Sequence, residues 1–129
     1  MADQLILVYG SLLSGERNHG YLQHAQLIGK GITQPYFDLL DLGSYPAMVL
    51  DGKTAIHGEI YAVDDEILDR LDILEGHPHY FVRAHITLQG PDELEVWVYV
   101  MRREILTAKP RIASGDWKAR RKEIGLYLR

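Results

Sequence analysis

One stretch of this 129-residue chain carries the period of a long helix, and it stands among short alternating segments. In DDEILDRLDILEGHP, residues 64 to 78, Asp64 suits the cap position, and Asp65 and Glu66 complement the positive end of the helix dipole. Gly76 supplies the left-handed residue that ends a helix, and Pro78 stops the chain from continuing. The expected helix therefore runs from 65 to 75, and whatever fold the chain adopts must seat this one element against strands.

Those strands are legible on both sides. Leu5 to Tyr9 read as a buried strand running into a Tyr-Gly-Ser turn, and Glu16 to His24 as a short helix or turn. PYFDLLDLGSYPAMVLDG gives two short extended pieces around Gly43 and Pro46, closed by Asp51-Gly52. AIHGEIYAV alternates, with His57, Glu59 and Tyr61 on one face and Gly58, Ile60 and Ala62 on the other. YFVRAHITLQG and ELEVWVYVM alternate too, and Gly90-Pro91-Asp92 between them reads as a hairpin connection. One helix among about six strands, without regular alternation of strand and helix, predicts an α+β fold. In it an antiparallel or mixed sheet curls into a small β-barrel and the helix covers an opening. With no repeat and no linker, residues 1–129 are expected to form a single domain.

Composition narrows the chemistry. The absence of cysteine excludes disulfides, a thiolate nucleophile and every cysteine-based metal site. A net charge of −4 disfavours nucleic acid as a partner, and the locally basic WKARRKEIGLYLR at the C-terminus reads as a solvated face. No apolar run approaches the ~18 to 20 residues that span a bilayer, and MADQLILVYG lacks a basic leader region and a small-residue cleavage site. The expectation is a cytoplasmic protein with no membrane partner.

The helix also holds the sharpest candidate residue. At about 100° per residue, Ile67, Leu68, Leu71 and Leu74 share one apolar arc, and Glu75 points into it between Leu68 and Leu71. Asp65, Glu66, Asp69 and Asp72 are expected on the wet side. A carboxyl turned toward the core should have a raised pKa, which suits a group that takes and returns a proton near neutrality. The plain alternative is that Glu75, at a fraying helix end, bends to water or pairs with Arg83. Glu59 competes for the role, sharing a strand face with His57 and Tyr61, unless it is a cross-strand partner of Arg83 or Lys53.

Other residues carry less. Glu75, His77 and His79 could suggest a metal site, but Pro78 separates the histidines and metalloprotease spacing is absent, so no metal is expected. Ser11 lacks the G-x-S-x-G elbow and reads as a turn serine. Most of Tyr9, Tyr45, Tyr61, Tyr80 and Tyr99 read as core or sheet-face aromatics with a polar tip. The loop after the first strand is either punctuation or a cradle of amides for an anionic group.

Taken in order, VYGSL at 8 to 12, Asn18, YPA at 45 to 47, GEIY at 58 to 61, LDILEG at 71 to 76, Arg83 and IASGDW at 112 to 117 span nearly the whole chain. Together they resemble the γ-glutamylcyclotransferase-like family, in particular its γ-glutamylamine cyclotransferase and AIG2-like branch. The resemblance implies a small mixed β-barrel with a cavity, with Glu75 as the acid/base. It implies that Tyr9, Gly10, Ser11 and Leu12 hold the γ-glutamyl group, the loop amides receiving its α-carboxylate. The implied reaction is attack of the substrate's α-amine on its own γ-carbonyl, giving 5-oxoproline and a free amine, with no cofactor. Many relatives have a tyrosine where this chain has Phe81, leaving Tyr80 as the neighbouring hydroxyl. Strand alternation predicts that only one of Tyr80 and Phe81 lines the cavity.

The expected partner is thus a small γ-glutamyl compound. Two alternatives stand beside it: a non-catalytic cavity module that binds a small anionic metabolite or a protein terminus, and a different amide-processing enzyme on the same fold. A buried carboxylate favours the enzyme over the binding module, because a site for an anion gains nothing from one.

Overall fold

The computed structural model describes residues 3–102 and 109–120. The chain forms β1 (Gln4–Val8), a 3-10 turn (His19–Leu22), β2 (Gln26–Ile32), β3 (Phe37–Asp41) and β4 (Pro46–Leu50). It continues through β5 (His57–Val63), α1 (Asp65–Glu75), β6 (Val82–Thr87) and β7 (Glu95–Val100).

Five strands form one mixed sheet in the order β2-β5-β1-β7-β6, with β3 and β4 paired separately. The most apolar strand, β1, lies at the centre, antiparallel to β5 and parallel to β7. Its last residues, Ile6 to Val8, are buried because sheet neighbours flank it on both sides. A bulge between Leu27 and Gly29 bends β2, as an unpaired extra residue does. The two outer strands then meet at one end, where Thr33 bridges Leu88 and the Gln89 amide donates to the Ile32 carbonyl at 3.0 Å. The sheet curls as expected but is not a barrel hydrogen-bonded all the way round.

The helix spans the expected residues, for the expected reasons. Asp64 Oδ1 accepts from the Ile67 amide at 2.8 Å, and Gly76 takes a left-handed φ of 68°. Ile67, Leu68 and Leu71 are buried, Leu74 is partly buried, and Ile73 on the far side is 81% exposed. Asp72 departs from the expectation. Its carboxylate receives Arg83 Nη2 at 3.2 Å and the Tyr99 hydroxyl at 2.7 Å, with its side chain only 18% exposed. The reason is phase, since Asp72 lies about 40° from Leu68 and so on the edge of the buried arc.

The β3–β4 hairpin is tied across the end of the larger sheet. The Met101 amide donates to the Met48 carbonyl at 2.9 Å, and the Ile112 amide to that of Leu39 at 2.7 Å. In the basic C-terminal run, Trp117 is buried and Arg120 lies 3.7 Å from its ring centroid, so this part is not a solvated face. The remainder of that run lies outside the described residues. No described helix is long and apolar enough to cross a membrane.

Leu71 is fully buried beneath the helix. Leu71→Ala should destabilise the fold by ~2 to 5 kcal/mol in chemical denaturation. A change within about 0.5 kcal/mol would show that the helix does not pack through this face.

Candidate active site

Where β1 ends, the chain turns sharply at Tyr9 to Leu12 and forms one wall of a cavity. Glu75, Tyr45, Phe81 and Tyr99 complete the walls. A second recess, lined by Arg17, Asn18 and Tyr80, shares Ser11, Tyr45, Glu75 and Phe81 with the first and is its outer mouth.

The loop is held by its own hydrogen bonds. The Leu13 amide donates to the Gly10 carbonyl at 3.0 Å, and the Asn18 amide to that of Ser11 at 2.9 Å. Asn18 Nδ2 donates to Ser11 Oγ at 3.0 Å, which makes Ser11 a turn serine. The backbone amides of Gly10, Ser11 and Leu12 donate to no described group. Gly10 and Leu12 are buried, so these are donors without partners at the cavity wall. Gly10 is required by packing, since a Cβ there would lie 2.6 Å from Pro46 Cδ and only glycine admits the hairpin.

Tyr9 lines the cavity, but its hydroxyl is committed elsewhere. It donates to the Tyr99 carbonyl at 2.7 Å and accepts from the Met48 amide at 3.0 Å. Burial raises the pKa of this hydroxyl and that of Tyr99 far above the ordinary range, so both remain neutral donors.

Glu75 stands opposite the loop. Burial pushes its pKa from the ordinary 4.5 up to about 7. Its position at the negative end of α1 acts in the same sense. Arg83 is taken by Asp72, and no described side chain hydrogen-bonds or pairs with the Glu75 carboxyl. Its carbonyl, by contrast, accepts from the Phe81 amide at 3.1 Å, which folds residues 76–81 back over the helix end. Of the two residues there, Phe81 alone lines the cavity, while both Tyr80 and Phe81, which precede β6 and so are not set apart by a pleat, line the mouth with their rings edge-on at 5.4 Å. The Tyr80 hydroxyl reaches that of Tyr45, whose pKa is pushed up to about 12 by burial and then by this contact.

The competing carboxylate is elsewhere. Glu59 lines a separate recess with His57 and Lys118, accepting from the Ser14 amide at 2.9 Å and the Tyr61 hydroxyl at 3.0 Å. His77 Nδ1 accepts from the Arg83 amide at 3.1 Å, and no three metal-binding side chains converge among the described residues. The site residues that sequence reasoning passed over are Arg17 and Tyr45. Tyr45 had a signal in YPA, while Arg17 had none beyond its closeness to the loop.

In this curled α+β sheet a desolvated carboxyl able to exchange a proton near neutrality shares a pocket with a loop of free amides able to hold an anionic group. The chain belongs to the family described as "Gamma-glutamyl cyclotransferase, AIG2-like", whose model matches residues 6–119. It is 44% identical over 115 residues to a Vibrio cholerae protein provisionally named a gamma-glutamylcyclotransferase, covering 89% of this chain and 96% of that one. It is 38% identical over 117 residues to the Escherichia coli gamma-glutamylcyclotransferase family protein YtfP, covering 91% and 98%. The crystal structure of a mouse aig2-like protein superposes with a TM-score of 0.78 at 30% identity, covering 90% of each chain.

Two outcomes follow from this geometry. Gly10→Ala should lower stability by ~1 to 3 kcal/mol, and Pro46→Ala in the same chain should recover much of the loss in thermal melts. For Glu75, the unfolded carboxyl ionises near 4.5 and the folded one near 7, so folding loses stability as pH rises between those values. Glu75→Gln lacks this loss. Its stability relative to wild type should rise from pH 4 to a plateau above pH 7, by an increment on the order of 2–3 kcal/mol. Parallel stability curves would mean that water reaches the carboxyl freely.

Proposed function

We propose that this protein is a γ-glutamyl cyclotransferase acting on a γ-glutamylamine or a related γ-glutamyl amide. The observation that carries this reading is the desolvated Glu75 carboxyl across a small cavity from the unpartnered amides of Gly10, Ser11 and Leu12.

In this mechanism the loop amides receive the α-carboxylate, and the glutamyl chain folds so that its α-nitrogen approaches its γ-carbonyl carbon. Ionised Glu75 takes a proton from the α-ammonium, and the freed amine attacks the γ-carbon to close a five-membered ring. Glu75 then gives this proton to the departing nitrogen as the amide C–N bond breaks, and takes the second proton from the ring nitrogen, which passes on to the released amine to leave it as an ammonium ion. The products are 5-oxoproline and an amine. A pKa near 7 leaves the carboxyl able to do both near neutrality. Ring closure within one molecule already has a large effective molarity, so folding the substrate and moving protons between its two nitrogens is most of the task. Nothing in the scheme requires a metal or a cofactor.

Incubation with a panel of γ-glutamyl compounds, reading 5-oxoproline by mass, tests the reaction. Glu75→Gln should bind substrate and lose at least ~10²- to 10⁴-fold in turnover. Glu59→Gln, outside the cavity and still able to accept from Ser14, should turn over close to normally. Normal turnover in folded Glu75→Gln together with collapse in Glu59→Gln would reverse the assignment. A blank panel would favour a binding module for a small anion or a protein terminus.

A further inference from the structure

Ring closure raises a demand that Glu75 does not meet. As the freed amine attacks, the γ-carbonyl oxygen takes up negative charge, and a donor aimed at that oxygen lowers the barrier. The closing ring joins the γ-carbon and the α-carbon through a single nitrogen, so this oxygen lies close to the α-carboxylate. Its donor must therefore stand beside the amides of Gly10, Ser11 and Leu12, which on this reading hold the carboxylate.

The side-chain hydroxyls on the cavity wall are those of Tyr9, Ser11, Tyr45 and Tyr99. Three are engaged. Tyr9 donates to the Tyr99 carbonyl at 2.7 Å, Tyr99 donates to Asp72 Oδ1 at 2.7 Å, and Tyr45 is bonded to the Tyr80 hydroxyl at the outer mouth. Ser11 differs. Its Oγ accepts from Asn18 Nδ2 at 3.0 Å, and its own proton goes to no described group. A hydroxyl has one proton and two lone pairs, so a bond accepted from Asn18 turns the proton away from Asn18. Asn18 lines the outer mouth, whereas Ser11 lines both the mouth and the inner cavity, which leaves the proton for the inner side.

Asn18 is itself fixed. Its amide donates to the Ser11 carbonyl at 2.9 Å, and its own carbonyl accepts from the Tyr21 amide at 3.1 Å. It grips Ser11 by backbone and side chain at once, so the hydroxyl is oriented before any substrate arrives. A donor oriented in advance costs no reorganisation at the moment of reaction.

We propose that Asn18 is a positioning residue for ring closure: by donating to Ser11 Oγ it aims the Ser11 hydroxyl at the γ-carbonyl oxygen, where that hydroxyl steadies the negative charge of the tetrahedral intermediate. This rests on the cyclotransferase reading. The bond changes are those already given, since the Ser11 proton is shared with the oxygen and not transferred.

The test measures kcat at saturation and KM for Asn18→Ala, Asn18→Asp and Ser11→Ala, on the panel compound that wild type converts fastest, after thermal melts have checked each fold. Aspartate has the shape of asparagine but only accepts, so it draws the Ser11 proton onto itself, whereas alanine leaves the hydroxyl free to turn. The expected order of kcat is wild type, then Asn18→Ala, then Asn18→Asp, the last lower by about 10²- to 10³-fold, as when one oxyanion donor is lost. The loss should lie in kcat, because the oxyanion exists only during reaction. Ser11→Ala should match Asn18→Asp, Ser11→Thr should keep most of the rate, and Asn18→Asp should cost nothing further in the Ser11→Ala chain. A purely structural bond gives the opposite order, since aspartate keeps both shape and hydrogen bond and alanine loses both. That order, or a normal kcat in Asn18→Asp, would overturn the proposal while 5-oxoproline from wild type upholds the cyclotransferase reading. A wild type that yields no 5-oxoproline would remove both. If Ser11→Ala does not fold, the order of the two Asn18 variants decides alone.

Discussion

The Tyr9 hydroxyl is the joint on which the site depends. It bonds the end of β7 through the Tyr99 carbonyl and the middle of β4 through the Met48 amide, from the residue that follows β1. One buried hydroxyl thus satisfies two backbone groups that would each be costly to leave unpaired. It also sets where the small hairpin meets the large sheet. The cavity lies at this joint, with Pro46 packed against Gly10 so closely that no side chain could stand between them. A tyrosine at this position is therefore structural in its hydroxyl even as its ring lines the cavity.

Glu75 shows the opposite economy. The turn at Gly76 and the return of residues 76–81 over the helix end keep its carboxyl from water without giving it a partner. A group kept in this state weakens the fold at the pH where it ionises, which is the expected conflict between a functional site and stability. Its neighbour Asp72, less than a turn away, has the opposite arrangement. Arg83 and Tyr99 hold that carboxylate in place, and Arg83 in turn lies 4.5 Å from the Trp97 ring centroid. Two acidic residues three apart on one helix are thus divided into a partnered carboxylate and a desolvated, unpartnered one by what surrounds them.

Local chemistry made much of this visible in advance. The helix bounds followed from Asp64 and Gly76, the strands from alternation, and the inward direction of Glu75 from helical phase. Asp72, expected on the wet side by the same phase, is held inward because the buried arc is wider than the four apolar residues that defined it. Of Tyr80 and Phe81, one alone lines the cavity, as expected, yet both line its mouth, because they precede β6 and belong to the turn after the helix.

What the sequence determined by itself is therefore the set of elements and the inward direction of Glu75, since capping, period and desolvation act over a few residues. Which groups meet that carboxyl was decided only by tertiary structure. Tyr45 arrives from the hairpin, Arg17 from the loop after β1 and Tyr80 from the turn after α1. No local signal relates three such segments. Their meeting depends on the curl of the sheet and on the hydroxyl joint at Tyr9, which bring residues distant in the chain to the mouth of one cavity.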